Sequence, residues 1–162
     1  MLVSLDAHHL VYVGLRDVDP EESALMERMG VLSFGMQEVD RLGFQGVLAA
    51  SLAYLRPSPT RPLHVSIDID VLDPCEAPST GTPGGETGRR AGREGGGRGS
   101  CAVGLTLREC LSLCEAVHAT GHLGALDLVE VNPSLGTKED AALTASAARL
   151  LLLGALAARR TA

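Results

Sequence analysis

Asp68 and Asp70 stand two residues apart at the end of an apolar run, and carboxylates in that setting are chemically expensive. An ionised carboxylate beside apolar neighbours calls for a raised pKa, a cationic partner or a metal ion. Arg61 lies at the far end of the run and is no obvious partner. In an extended strand, residues i and i+2 project to one face with side-chain origins roughly 7 Å apart, so both groups could serve one divalent site. Spacing alone leaves a second reading open, in which the pair caps a loop, as Asp73 before Pro74 is expected to do.

The elements that must position these groups follow from pattern. Residues 10–15 (LVYVGL) read as a short buried strand, and 20–29 as a helix opened by Pro20, with Glu21 and Glu22 in its first turn and Gly30 after it. A second strand is expected over 31–36, then a helical stretch to about Leu55, interrupted near Gly43 and closed by Pro57. The third strand runs 63–70. Thr106 and Glu109 form a capping box that opens a helix ending near Gly121; 125–131 is the fourth strand and 138–160 a long final helix.

Apolar strands alternating with helices predict an α/β fold, three layers α/β/α around a mostly parallel sheet. With no Trp, two Tyr and two Phe, the core must be filled by Leu, Val, Ile and Ala. Functional groups in such sheets lie beyond the carboxyl ends of the strands. The strands here end in Arg16-Asp17-Val18-Asp19, Asp68-Ile69-Asp70 and Glu130-Val131-Asn132.

The totals narrow the classes. A chain of 162 residues, 45% hydrophobic, can bury one core, and a net charge of -6 argues against nonspecific nucleic-acid binding, which needs clustered cations. Cys75, Cys101, Cys110 and Cys114 contain no CxxC pair, so neither a disulfide framework nor a zinc clip is indicated. The longest apolar run, 150–158, is broken by Gly154 and falls short of the ~20 residues of a membrane span. Cysteine usage without a framework or a secretory signal makes a reduced intracellular compartment the expectation, with cytoplasmic and mitochondrial both left open, and the acidic charge favours a small-molecule substrate. Residues 84–99 hold eight glycines and four arginines, and a disordered Gly/Arg-rich insertion is expected over 84–103. Glu86, Glu94 and the lack of aromatics there disfavour an RNA tether.

The string Ser66-Ile67-Asp68-Ile69-Asp70-Val71-Leu72-Asp73-Pro74, continuing to Pro78-Ser79-Thr80-Gly81-Thr82-Pro83, resembles a metal-binding signature of the ureohydrolases, arginase in particular. Val11-Tyr12-Val13-Gly14-Leu15-Arg16-Asp17-Val18-Asp19-Pro20, Glu38-Val39-Asp40-Arg41-Leu42-Gly43 and Ala125-Leu126-Asp127-Leu128-Val129-Glu130-Val131-Asn132-Pro133 resemble arginase segments in arginase order. The resemblance implies that 1–162 is the C-terminal part of a single arginase-like domain, with an incomplete arginase/deacetylase-like sheet.

It also implies a chemistry: manganese-dependent hydrolysis of L-arginine to L-ornithine and urea, with two Mn²⁺ ions activating a hydroxide. Asp68 and Asp70 match metal ligands of the family. Glu130 matches the catalytic-site carboxylate that receives the substrate guanidinium, a pairing suited to two-point geometry. Thr82 matches a residue beside it, and Asp19 and Glu22 match residues near the substrate α-amino group, although a turn residue and a helix-start acid need no substrate. Arg108 and Glu109 resemble a pair used between subunits of a homotrimer, and the capping box alone already accounts for Glu109. Asp127 is open between a hydrogen-bonding role around the metal and a plain strand-end polar one.

The family completes its site with an upstream His and an Asp-x-His-x-Asp motif. Asp6-Ala7-His8 is only superficially similar, because Leu10 stands where the second aspartate belongs. Two ligands of six would not hold two Mn²⁺ ions tightly. The expectation is therefore a chain inactive alone, with association with full-length arginase subunits as one alternative and an agmatinase-like ureohydrolase as a more distant one. His64, His118 and His122 are expected to be structural or exposed.

Overall fold

The computed structural model describes residues 5–81 and 104–156, which divide into two compact units, one up to Arg56 and one from Pro57. The expected insertion at 84–103 and the end of the last helix lie outside the described residues.

The first unit holds β1 (Val11–Leu15), α1 (Pro20–Met29), β2 (Leu32–Gly35), α2 (Met36–Leu42) and α3 (Phe44–Leu55). β1 and β2 pair in parallel, Val11 opposite Leu32 and Val13 opposite Phe34. The crossover is α1, whose first position is Pro20 and whose last turn closes on Gly30 at φ +69°, a left-handed conformation that costs glycine nothing. α2 and α3 pack on β1 and bury Val39, Phe44, Val47 and Leu48. Gly43, at φ +70°, breaks the helical stretch where the sequence placed the interruption.

The second unit holds β3 (Leu63–Asp68), α4 (Leu107–Ala119), β4 (Leu123–Val129) and α5 (Lys138–Ala155). β3 and β4 are also parallel, with Ser66 opposite Asp127 and Asp68 opposite Val129. α4 and α5 pack together, and Gly154 of α5 permits the approach: a Cβ there would lie 3.3 Å from Leu111 and 3.4 Å from Cys114. Both helices start on reciprocal caps, Thr106 with Glu109 and Thr137 with Asp140, each satisfying two otherwise orphaned donors.

Leu72 and Leu105 form a parallel bridge, so the chain at 104–105 lies against the segment following β3. Asp73 N–H donates to the Leu105 carbonyl at 2.9 Å and Leu105 N–H to that of Val71 at 2.8 Å. Gly104 is required there, since a Cβ would fall 2.7 Å from the Leu72 backbone. All strand pairs of the named strands are parallel, as the α/β reading required. The fourth strand begins earlier and ends earlier than its apolar run suggested, because Glu130 leaves the extended conformation.

Candidate active site

β3 alternates as its sequence dictates. Leu63 and Ile67 are buried, while His64 and Ser66 are exposed and share their face with Asp68. The strand stops at Asp68, and here the extended geometry expected through Asp70 is not what forms. Residues Ile69–Val71 make one 3-10 turn capped by Asp68, whose Oδ1 accepts the Asp70 N–H at 3.1 Å. Ile69 is fully buried and anchors the turn, with Asp68 and Asp70 half-buried on either side of it.

Glu130 follows β4 directly. It is exposed and adopts φ +62°, a left-handed conformation that is uncommon for a side chain with a Cβ. In the β3–β4 register, Glu130 stands one residue beyond the partner of Asp68, so both carboxylates lie at the carboxyl end of one parallel pair. Gly81 lies beside it: a Cβ on that residue would sit 3.3 Å from Glu130 Oε2. Thr82, the next residue, lies outside the described residues.

The 77–81 loop that brings Gly81 to Glu130 is anchored from several sides. Ser79 is fully buried; its N–H donates to Thr144 Oγ1 of α5 at 2.9 Å and its hydroxyl donates to the Leu135 carbonyl. The Asn132 N–H donates back to the Ser79 carbonyl at 3.0 Å. Asp73 accepts the Cys75 N–H at 2.9 Å, the loop-capping role its place before Pro74 predicted.

Asp19 and Glu22 belong to the first unit. Asp19 is the residue before α1, where it makes no side-chain cap bond, and Glu22 is in the first helical turn; both are exposed and line an open hollow with Pro20 and Glu21. The acidic side chains need no substrate to be stable there, given the helix N-terminus beside them.

As oxygen donors, Asp68 and Asp70 suit a hard divalent cation. Their number does not: among the described residues no three His, Cys, Asp or Glu side chains form a group able to hold a metal ion. In the first unit, Asp6 caps a 3-10 turn by accepting the His8 N–H at 3.0 Å, and the His8 ring lies beside Gly30.

A cluster that sequence reasoning had left apart adjoins Asp68. Asp127 on β4 accepts Ser66 Oγ–H at 2.5 Å on one oxygen and His64 Nε2–H at 2.6 Å on the other. The ionised carboxylate can only accept, so the His64 proton is on Nε2. The Ser66 hydrogen bond, then that from His64, holds the Asp127 carboxyl below its ordinary value of 3.8. The i, i+2 spacing of His64, Ser66 and Asp68 was the available signal, but Asp127 is 61 residues from Ser66 and only the strand pairing joins them.

Residues 2–91 and 96–154 match the Arginase family. Rabbit (Oryctolagus cuniculus) Arginase-1 is 41% identical over 157 residues, covering 96% of this chain and 44% of that protein. Human mitochondrial Arginase-2 is 43% identical over 135 residues, 83% of this chain and 33% of its own length. The crystal structure of arginase from Bacillus subtilis superposes with a TM-score of 0.77 at 28% identity, over 96% of this chain and 46% of that one. The chain thus spans less than half the length of these relatives. Formimidoylglutamase from the same bacterium shares the fold, with a TM-score of 0.74 at 22% identity. Among the described residues no helix is long and apolar enough to cross a membrane.

Proposed function

The chain belongs to the arginase family, and from that premise we propose that it carries the guanidinium-receiving part of an arginase-type amidinohydrolase site. The observation that carries this reading is the placement of Glu130 at the end of β4, one residue beyond the partner of Asp68. A carboxylate there can hold a planar guanidinium by two parallel hydrogen bonds and present its carbon toward the Asp68 side. In the same reading, the family match assigns Asp19 and Glu22 to selecting a substrate with a cationic α-amino group, L-arginine, and assigns Thr82 to substrate binding.

Asp68 and Asp70 supply two oxygen donors of a binuclear manganese site. Among the described residues no three His, Cys, Asp or Glu side chains form a group that could hold a metal ion; with two of the family's six ligands, the reading is that the polypeptide alone is inactive. The test is urea release from L-arginine with added Mn²⁺. None is expected from this polypeptide by itself, and turnover near that of a full-length arginase would overturn the reading. On a chain extended to the length of its relatives, a substrate panel should favour L-arginine over agmatine, and Glu130→Gln should abolish activity.

A second reading has its own observation. Leu143 and Leu150, seven residues apart and therefore on one side of α5, are 46% and 41% exposed. Such a stripe supports a non-catalytic role in which the last helix joins arginase subunits, in the homotrimeric arrangement the resemblance implies. Co-purification with an intact arginase supports that role; failure to associate at micromolar concentration counts against it.

A further inference from the structure

The paired ends of β3 and β4 carry Asp68 and Glu130, so their mutual placement depends on the register of the pair. Register is strongly specified where one face is buried and the other is not. β4 lacks that contrast: Leu126, Asp127 and Leu128 in succession are all partly buried, and Gly124, Ala125 and Val129 are exposed. Nor do the ends of the ladder impose it. The pairing is irregular between Leu63 and His64, and Glu130 leaves the strand at φ +62°.

What distinguishes one register from its neighbours is polar. The exposed face presents His64, Ser66 and Asp68 on β3 opposite Ala125, Asp127 and Val129 on β4. Of the three β4 side chains only Asp127 can hydrogen bond, and it uses both oxygens, one for its direct partner Ser66 and one for His64. A slip of two residues keeps the faces but moves Asp127. In one direction it lands opposite Asp68, setting two carboxylates side by side; in the other it lands opposite His64, and Ser66 is no longer its direct partner.

We infer that Asp127 is a positioning residue, whose carboxylate, held by Ser66 and His64, sets the register of β3 on β4 and thereby the placement of Glu130 relative to Asp68. The consequence for catalysis rests on the amidinohydrolase reading; the register claim does not. Asp127 needs no contact with substrate to act, since it works one pleat before the Asp68 level.

The test is amide hydrogen exchange, resolved by residue, on the full chain and on Asp127→Ala, Asp127→Asn and Ser66→Ala. Asp127→Ala should lower protection across the β3–β4 ladder by about tenfold, with α4 and α5 amides within about threefold of the parent. Asp127→Asn keeps an oxygen for Ser66 and should recover most of that protection, whereas Ser66→Ala should lose part of it. Unchanged ladder protection in Asp127→Ala overturns the inference. So does a uniform fall that includes the helices, which would mark a general stability role. Urea release from L-arginine with added Mn²⁺ is read in parallel: turnover by the parent overturns the reading of the site and leaves the exchange result to decide the register claim.

Discussion

Cys110 and Cys114 lie one turn apart on α4, 4% and 1% exposed, and make alkaline stability a quantitative probe of the packing behind the site. Burial, reinforced by the neighbouring Cys114, pushes the Cys110 thiol up to about 12; burial, with Glu115 nearby, pushes Cys114 up to about 11. Both have an ordinary value of 9.0, so in the unfolded chain they ionise first. The folded state then binds more protons, and stability falls as pH rises: the contribution is fully present below pH 9 and is lost as pH climbs toward 11 and 12. At pH 10 each unfolded thiol is about nine-tenths ionised while the folded ones remain mostly protonated, a loss of roughly 1 kcal/mol per thiol and about 2–3 kcal/mol for the pair. The assay is urea unfolding at pH 8 and pH 10 for the parent chain and for Cys110→Ala/Cys114→Ala. The parent should lose about 2–3 kcal/mol more than the variant between these pH values, the variant starting lower by the cost of its cavities. Equal pH slopes would refute the burial of these thiols, and with it the α4–α5 packing that Gly154 permits.

Other consequences can be checked separately. Glu130→Gly should retain or gain stability, by up to about 1 kcal/mol, because glycine adopts φ +62° freely; thermal unfolding that shows a clear loss would contradict the strain. Gly104→Ala should cost about 1–3 kcal/mol, since its Cβ would meet Leu72 backbone at 2.7 Å, and denaturant unfolding measures it. The Asp127 carboxyl, followed by carbon-13 resonance, should titrate below 3.8, the Ser66 hydrogen bond being the larger cause; its stabilising effect is present above that pH and lost as pH falls through the lower folded value. Ser66→Ala should move the titration back toward 3.8.

Much of this could be read along the chain because it is local. The Thr106–Glu109 cap, the Gly43 break, the Pro20 helix start and the Asp73 turn each depend on a few neighbouring residues whose backbone preferences act at short range. The Asp68, Asp70 and Glu130 segments were likewise recognisable by type and order, and their membership of the arginase family follows from that order. Periodicity misled at two places. Asp70 alternates like a strand residue but lies in a 3-10 turn, because Asp68 captures its N–H and Ile69 is drawn into the core. The apolar run 125–131 likewise hid the end of β4 at Val129.

Tertiary structure alone decided which distant groups meet. Asp127 joins Ser66 and His64 across more than sixty residues, and Gly81 comes to Glu130 through bonds that tie Ser79 to Thr144 and Asn132. No local preference encodes such pairings, because each depends on the register of one strand against another, and register exists only once the two strands have met. The carboxylates were therefore visible in the sequence as types of residue; their arrangement as a site required the paired strands.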